Sequence, residues 1–444
     1  MSADLTEPST FDARLRADPL ADDIVARILD AGAAATPPLA RWDAIALVER
    51  EAARWESNAA LATWQADPAT PAPIARALED YLRQARRLPD WADAAQIGCA
   101  EAVFADTSLL ACALLPCASL PESLVAASGL EADAGEQLRA ASALLFATMR
   151  RGGLLDADGA GLAQVLRLRL SHALQRHLVV RGNPAHALAH GAAIPALLAE
   201  GPDRWRLLFA RGWDVRTQGL PWNQEALAHT LLGFHYVFLR SLRRLGLGLG
   251  KEEEGAWLHA WNVVGHLLGV EGALLTATMA QAAGLCARLQ RDADGVARRA
   301  KAGDPRPALA FALMRGLRDP SATRGLASFP LLLTRHLCAR ATVRALDLDR
   351  QVSRLARARF ALGLGTARVV DAVARLLCPG LSIARLATRI LGYRLAPRMA
   401  IVPEEGGVAP DWERDARAPR WVNAIEYRFR RKRAARAGRK AAAC

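Results

Sequence analysis

Apolar residues that recur at three- and four-residue spacing along nearly the whole chain constrain this sequence more than any other feature. At 3.6 residues per turn, those positions fall on one face of a helix, whereas a half-buried strand needs strict alternation. Alternating β-branched runs between turn signals are nearly absent, so the predicted fold class is all-α: a large helical domain around a central helical core. Pro and Gly clusters at Pro37-Pro38, Pro68 to Pro73, Pro89, Pro116 to Pro121, Arg151 to Gly153, Gly182 to Pro184, Gly201-Pro202, Gly219 to Pro221 and Asp304 to Pro307 are predicted helix boundaries. No internal repeat of 20 to 50 residues is visible, which removes the main support for a solenoid. The expected division is an N-terminal helical portion over 1–85, a core over 86–275, packed helices over 276–400 and a loose basic tail over 401–444.

Hydrophobic residues make up 52% of the 444 and charged ones 23%, ample for a buried core, so wholesale disorder is excluded. No uncharged apolar run reaches the roughly 18 residues of a membrane span. The start, acidic and polar, lacks the basic and apolar regions of an export signal, and a cytoplasmic location is the expectation. Seven scattered Cys with no CxxC pair read as core thiols in a reducing compartment, neither a disulfide frame nor a zinc site. The formal charge of +13 owes eight positive residues to the stretch from Arg428 to Lys440, so the body itself does not imply nucleic acid. That tail is either a solvated terminus or a contact for an anionic membrane surface or nucleic acid.

The most readable helix runs from Asn223 to Leu245: Asn223 caps its start, Glu225 complements the positive end, Arg240, Arg243 and Arg244 the negative end, and Gly246 stops it. Its first turns are apolar all round, which places His229 in the interior. Four of the nine His (His229, His235, His259, His266) fall within 38 residues, and this density is the main functional signal. His259 and His266, seven apart, leave one helix face. Gly265 and Gly269 around His266, and Gly233 one turn after His229, strip the neighbouring wall of side chains, so that a flat ligand or another helix can approach closely. Arg169, His172 and Arg176 share a face of a third helix; the two guanidiniums favour the neutral imidazole, which can coordinate metal or accept a proton, and they suit a propionate or other carboxylate. Taken singly, each of these His reads first as a core imidazole with one hydrogen bond, and it is their clustering that favours a ligand or acid/base role for at least one of His172, His229, His259 and His266. Neither a nucleophile elbow, an HExxH, nor a phosphate-binding glycine loop occurs; Glu252 to Glu254 reads as a solvated first turn, and Trp222, Trp257 and Trp261 as core or pocket wall.

Four signatures match a known pattern in order and spacing: PDWAD (Pro89 to Asp93), Arg-Leu-Ser-His (Arg169 to His172) followed by Arg176, LPWNQEALAHTLLGF (Leu220 to Phe234) and WLHAWNVVGHLLGV (Trp257 to Val270). On these, over about residues 85 to 275, the chain resembles the oxygenase family of fungal MpaB and bacterial latex-clearing protein, or rubber oxygenase. The resemblance implies an all-helical fold around haem b and oxidative cleavage of C=C bonds in isoprenoid chains by dioxygen, with a prenyl or other hydrophobic molecule as substrate. It further implies that Arg169 and His172 carry catalytic roles, that Arg169, Arg176, His229, Gly233, His259 and His266 surround the cofactor, and that His229 or His266 binds iron. Two positions depart from the pattern: the axial ligand of the latex-clearing branch falls at or near Leu232, leaving His229 one turn earlier, and the base proposed for rubber cleavage falls near Ser142. Those departures carry the alternative, a non-enzymatic helical protein that keeps the scaffold to bind a lipid or partner.

Overall fold

The computed structural model describes residues 13–124, 134–190, 193–201, 203–299, 306–317, 328–349 and 352–377. The expected all-α class is observed. The longer helices are α1 (Pro19–Ala33), α2 (Arg41–Ala53), α3 (Ala72–Ala85), α4 (Ala94–Leu114), α5 (Ala134–Met149), α6 (Gly161–Val179), α7 (Gln224–Leu232), α8 (Phe238–Leu245), α9 (Lys251–Leu267), α10 (Met279–Arg299), α11 (Arg306–Gly316), α12 (Phe329–Leu337) and α13 (Arg354–Leu377). Among the described residues the only sheet is a two-residue antiparallel pairing of Ala193–Ile194 with Trp213–Asp214. The basic tail and two of the cysteines, Cys378 and Cys444, lie outside the described residues.

Two apolar cores organise the body. The first joins α1, α2 and α3 to α6 through Ile24, Ile28, Ile45, Trp55, Leu78, Tyr81, Leu166 and Leu170. α6 therefore shares a core with the N-terminal helices, and the chain before residue 85 is not packed as a body of its own. Tyr81 marks the junction: its ring stacks on Trp55, and its hydroxyl donates to the Leu166 carbonyl at 2.7 Å. The second core packs α4 against α9, with Trp257 and Trp261 stacked on Phe238 and Phe234 at 4.6 and 4.5 Å between ring centroids. These two tryptophans, fully buried, are core rather than pocket wall.

Most predicted punctuation falls in loops, but Pro116 to Pro121 does not break the chain as expected. α4 passes into a π-helical segment, Leu115–Ser119, and then a short helix, Leu120–Ser123; the 77° bend in this stretch comes earlier, between Ala94–Ser108 and Leu110–Ser123. Proline lacks the N–H that an α-helix would use at this point, and the wider i→i+5 turn accommodates it. The segment from Asn223 to Gly246 carries a second π-turn, Gly233–Val237, between α7 and α8, and this one packs against the first. Its ends match the sequence reading: Asn223 accepts from the Ala226 N–H at 2.9 Å, and Gly246 terminates α8 with φ of +81°. Glu253 closes the first turn of α9 by accepting from the Gly250 N–H at 2.7 Å. Among the described residues, no single helix is long and apolar enough to cross a membrane.

Candidate functional site

α7 and the π-turn after it carry the two most enclosed histidines. His229 is 2% exposed, and neither of its ring nitrogens has a hydrogen-bond partner. His235, on the π-turn, is 1% exposed with Nδ1 unpartnered. Burial pushes the pKa of His229 down to about 4, against a small opposing pull from Glu122, and burial pushes that of His235 to about 3. Both rings are therefore neutral at neutral pH, with lone pairs available. Ser241 on α8 and Trp261 on α9 add an unpartnered hydroxyl and an unpartnered indole N–H. Buried polar groups normally find partners, and His229, with both ring nitrogens unpartnered, is the clearest exception among these.

Glycines bring the neighbouring helices in. A Cβ on Gly265 would lie 2.6 Å from Leu231 Cδ2, so α7 closes directly onto α9 there. One on Gly269, where φ is +84°, would lie 2.7 Å from Asp18 Oδ2, and one on Gly233 would lie 2.9 Å from Ser123 Oγ. Of the two occupants expected beside these bare walls, the structure supplies protein in all three places. Gly233 also receives the Ser119 hydroxyl on its carbonyl at 2.8 Å, which ties the two π-turns together.

The third helix splits its three candidates. Arg169 does not extend a free fork towards a ligand. Nε and Nη2 donate to the two Asp18 oxygens at 2.5 and 2.7 Å, and Nη1 donates to the Leu267 carbonyl at 3.2 Å. Its geometry clamps the start of α1 to the end of α9, so the fork that would suit a propionate is engaged within the protein. Arg176 is fully buried and gives Nε to Asp22 at 2.8 Å and Nη1 to the Trp222 carbonyl at 3.2 Å, but Nη2 has no partner. His172 stacks on Trp222, rings 4.4 Å apart and 15° from parallel, with Nδ1 unpartnered. Burial first, and then the charges of Arg176 and Arg204, push its pKa down to about 3; the ring is neutral as expected, but mainly through burial, with Arg204 rather than Arg169 as the second charge. Trp222 holds a left-handed backbone (φ 49°), unusual for a bulky residue, and its indole donates to Gln175 Oε1 at 2.9 Å.

His259 and His266 do share a face, as their spacing requires, and Trp91 of the PDWAD segment sits against both, 5.6 and 6.1 Å between centroids. His259 Nε2 accepts from the Asp93 N–H at 2.9 Å, and Asp93 in turn caps α4. His266 is exposed. The structure thus separates the two candidate iron ligands: His229 is enclosed and His266 faces outward. Leu232 is buried in an apolar cluster with Val270, Leu274 and Leu285, and Ser142 is buried on α5.

Sequence reasoning missed Glu122. Its carboxylate, 1% exposed, accepts from Arg240 Nη2 (2.6 Å), the Ala339 N–H (2.7 Å), Thr342 Oγ1 (2.6 Å) and Gln290 Nε2 (2.6 Å). Partners from three distant stretches of chain leave no local signal for this node. The π-turns were hidden for a related reason, since the segment is apolar on several faces and a change of phase leaves no visible break in it; a glycine in mid-helix at position 233 was the available hint.

Comparison with known proteins places this arrangement. The family described as "ER-bound oxygenase mpaB/B'/Rubber oxygenase, catalytic domain" matches residues 152–375, half of the chain. That match begins later and ends later than the 85 to 275 expected from the signatures. The rubber oxygenase of Streptomyces sp. (strain K30) is 25% identical over 234 residues, 50% of this chain and 50% of that protein, so the match spans about half the length of the curated relative. A solved structure of latex clearing protein LCP in the closed state superimposes with a TM-score of 0.57 at 19% identity, covering 88% of this chain and 92% of that one, which extends the shared fold well beyond the matched region. Three signatures read from the sequence, those around His172, His229 and His266, lie inside the family match, and the chain belongs to the MpaB and rubber-oxygenase family.

Proposed function

We propose that this protein is a haem-dependent oxygenase that attacks or cleaves a C=C bond in a prenyl or similar lipid-like substrate with dioxygen. The observation that carries this reading is His229: a neutral imidazole, closed off from water, with both ring nitrogens unpartnered. Leaving such a ring without partners costs on the order of 1–3 kcal/mol for each unsatisfied group, a cost that ligation would offset. Among the described residues no three His, Cys, Asp or Glu converge on one point. The donor set therefore suits an iron that arrives with its own macrocyclic nitrogens and asks the protein for one imidazole.

On this reading His229 is the iron ligand, and a haem held there would supply the activation of dioxygen. Arg176, with Nη2 free in the interior, is the residue suited to a haem carboxylate. Burial and stacking on Trp222 keep the His172 ring neutral and fixed, and its pKa, pushed down to about 3, suits Nδ1 to a hydrogen bond with a bound group rather than to holding a proton at neutral pH. Arg169 acts as a positioning residue, and His259 and His266 belong to the outer face with Trp91. The buried apolar residues beside His229 on α7, Leu227, Ala228 and Leu232, keep water from its ring.

The visible spectrum of protein expressed with a haem precursor tests this. A stoichiometric Soret band is expected, lost or strongly weakened in His229→Ala and preserved in His266→Ala. Preservation of the band in His229→Ala would remove the assignment. A second reading, the non-enzymatic lipid-binding protein, draws on Leu232 and Ser142, which are packed as apolar and small core residues where the family's rubber-cleaving branch has functional groups. Its signature is a colourless protein that still binds prenyl lipids.

A further inference from the structure

We infer that α13 is a docking helix that lays the protein on an anionic lipid surface. Leu355, Leu362 and Val369 recur every seven residues and Val373 follows four later, so they form one stripe along the helix. All four are exposed, Leu362 by 72%. The opposite face holds the helix to the body. Phe360 lies against Phe329 and His336 at 5.9 and 6.0 Å between centroids, Leu364 is half-buried, and Arg368 reaches His336 Nε2 at 3.3 Å. The outward direction of the stripe is thus fixed by contacts on the other side, and no described part of the chain covers it.

Charge selects the occupant. Arg354 and Arg359, both exposed, flank the stripe, while Arg357 donates to the Asp349 carbonyl and Arg368 faces the body; the sequence of α13 holds a single acid, Asp371, and eight further basic residues without an acid follow between Arg428 and Lys440. A second copy of the helix would bring the same arginines face to face, an arrangement that like-charge repulsion disfavours. An anionic bilayer accepts both features at once: side chains of the stripe enter the boundary between headgroups and acyl chains, and flanking arginines meet lipid phosphates. Stable attachment of this kind takes two signals, and the apolar stripe and the basic tail are two. The placement is independent of the haem chemistry proposed above, since a colourless protein would bind the same surface.

The experiment is vesicle sedimentation of the full chain, using phosphatidylcholine with and without phosphatidylglycerol, for the unmodified protein and the Leu362→Gln/Val369→Gln double variant. The variant leaves every charge in place and changes only exposed positions. Binding to vesicles containing phosphatidylglycerol, weakened about tenfold or more in the variant with an unchanged thermal midpoint, is the expected result. Equal binding by the two proteins would assign attachment to the tail alone and overturn the inference. So would failure of the unmodified protein to bind. A variant with a lowered thermal midpoint or a changed oligomeric state would also overturn it, because the stripe would then be covered by the chain itself, for instance by its acidic stretch over 404–415, or by a second copy.

Discussion

Substituting Asp18 by Asn tests the clamp that joins the N-terminal helices to the end of α9. The Asp18 and Arg169 side chains are 4% and 9% exposed, and two parallel hydrogen bonds connect them. Burial alone would lower the pKa of Arg169, yet the bonds and charge of Asp18 outweigh it and hold the guanidinium firmly protonated. Asn is nearly isosteric with Asp and can still cap α1 through its one oxygen, where Asp18 accepts from the Ala21 N–H at 3.4 Å, but the change removes the charge and replaces one of the two oxygens that accept from Arg169 by an N–H donor. What remains is a buried cation whose one other bond is to the Leu267 carbonyl. Breaking a buried pair from one side costs about 3–5 kcal/mol, a large share of the roughly 5–15 kcal/mol that stabilises a folded protein. Urea unfolding, followed by far-ultraviolet circular dichroism and tryptophan fluorescence, measures this directly. Adding Arg169→Gln in the same chain should recover part of the loss, because it removes the stranded charge. A loss below about 1 kcal/mol for Asp18→Asn, or no recovery in the double variant, would refute the reasoning.

Two other outcomes follow from buried groups. Glu122→Gln puts an amide N–H₂ where four donors converge, and a loss of about 2–4 kcal/mol is expected, with faster proteolysis around residues 339–342 as the local readout; an unchanged cleavage rate there would argue against the node. Acid should destabilise the haem-free protein well before carboxylates titrate: His172 and His235 are pushed down to about 3, and His177 and His229 to about 4, all by burial first. Unfolded imidazoles take a proton near pH 6.5 and these folded ones do not, so their contribution is complete above that pH and is lost as pH falls towards 4. Between pH 7 and 5 each should cost about 1–2 kcal/mol. Asp22, pushed up to about 6 by burial against the pull of Arg176, partly offsets this below pH 6. Urea midpoints at pH 7, 6 and 5 check the sum, and His235→Leu should flatten the decline.

How much could be read in advance depended on how local each feature is. The helical class, the Asn223 cap, the Gly246 stop and the burial of His229 all depend on residues within a turn or two of one another, and each appears in the structure as read. The shared face of His259 and His266 is likewise a matter of spacing alone. Arg169 is different. Its partner Asp18 lies 151 residues away, and a sequence shows a guanidinium without showing that its fork is already engaged. The glycines around His229 and His266 have the same character: the sequence marks close approach, and the fold decides that Leu231, Asp18 and Ser123 do the approaching. Boundaries inferred from Pro were sound where the chain turns in a loop and misleading at Pro116, where the backbone widens and continues.

The facing π-turns have a consequence for how this chain can vary. A π-turn holds one residue more than the α-turn it replaces, so it rotates the phase of everything downstream by about 100°. α8 takes its orientation from that single residue: it aims Arg240 at Glu122, Arg243 at Glu254 and Arg244 at the carbonyls of Leu337 and Cys338. Deleting one residue from Gly233–Val237 would leave a longer, more regular helix by local criteria, and would turn all three arginines away from their partners together. Gaps in this stretch are therefore forbidden in a way that substitutions are not, and an insertion in Leu115–Ser119 could not repair one, because it would rotate the opposite wall instead.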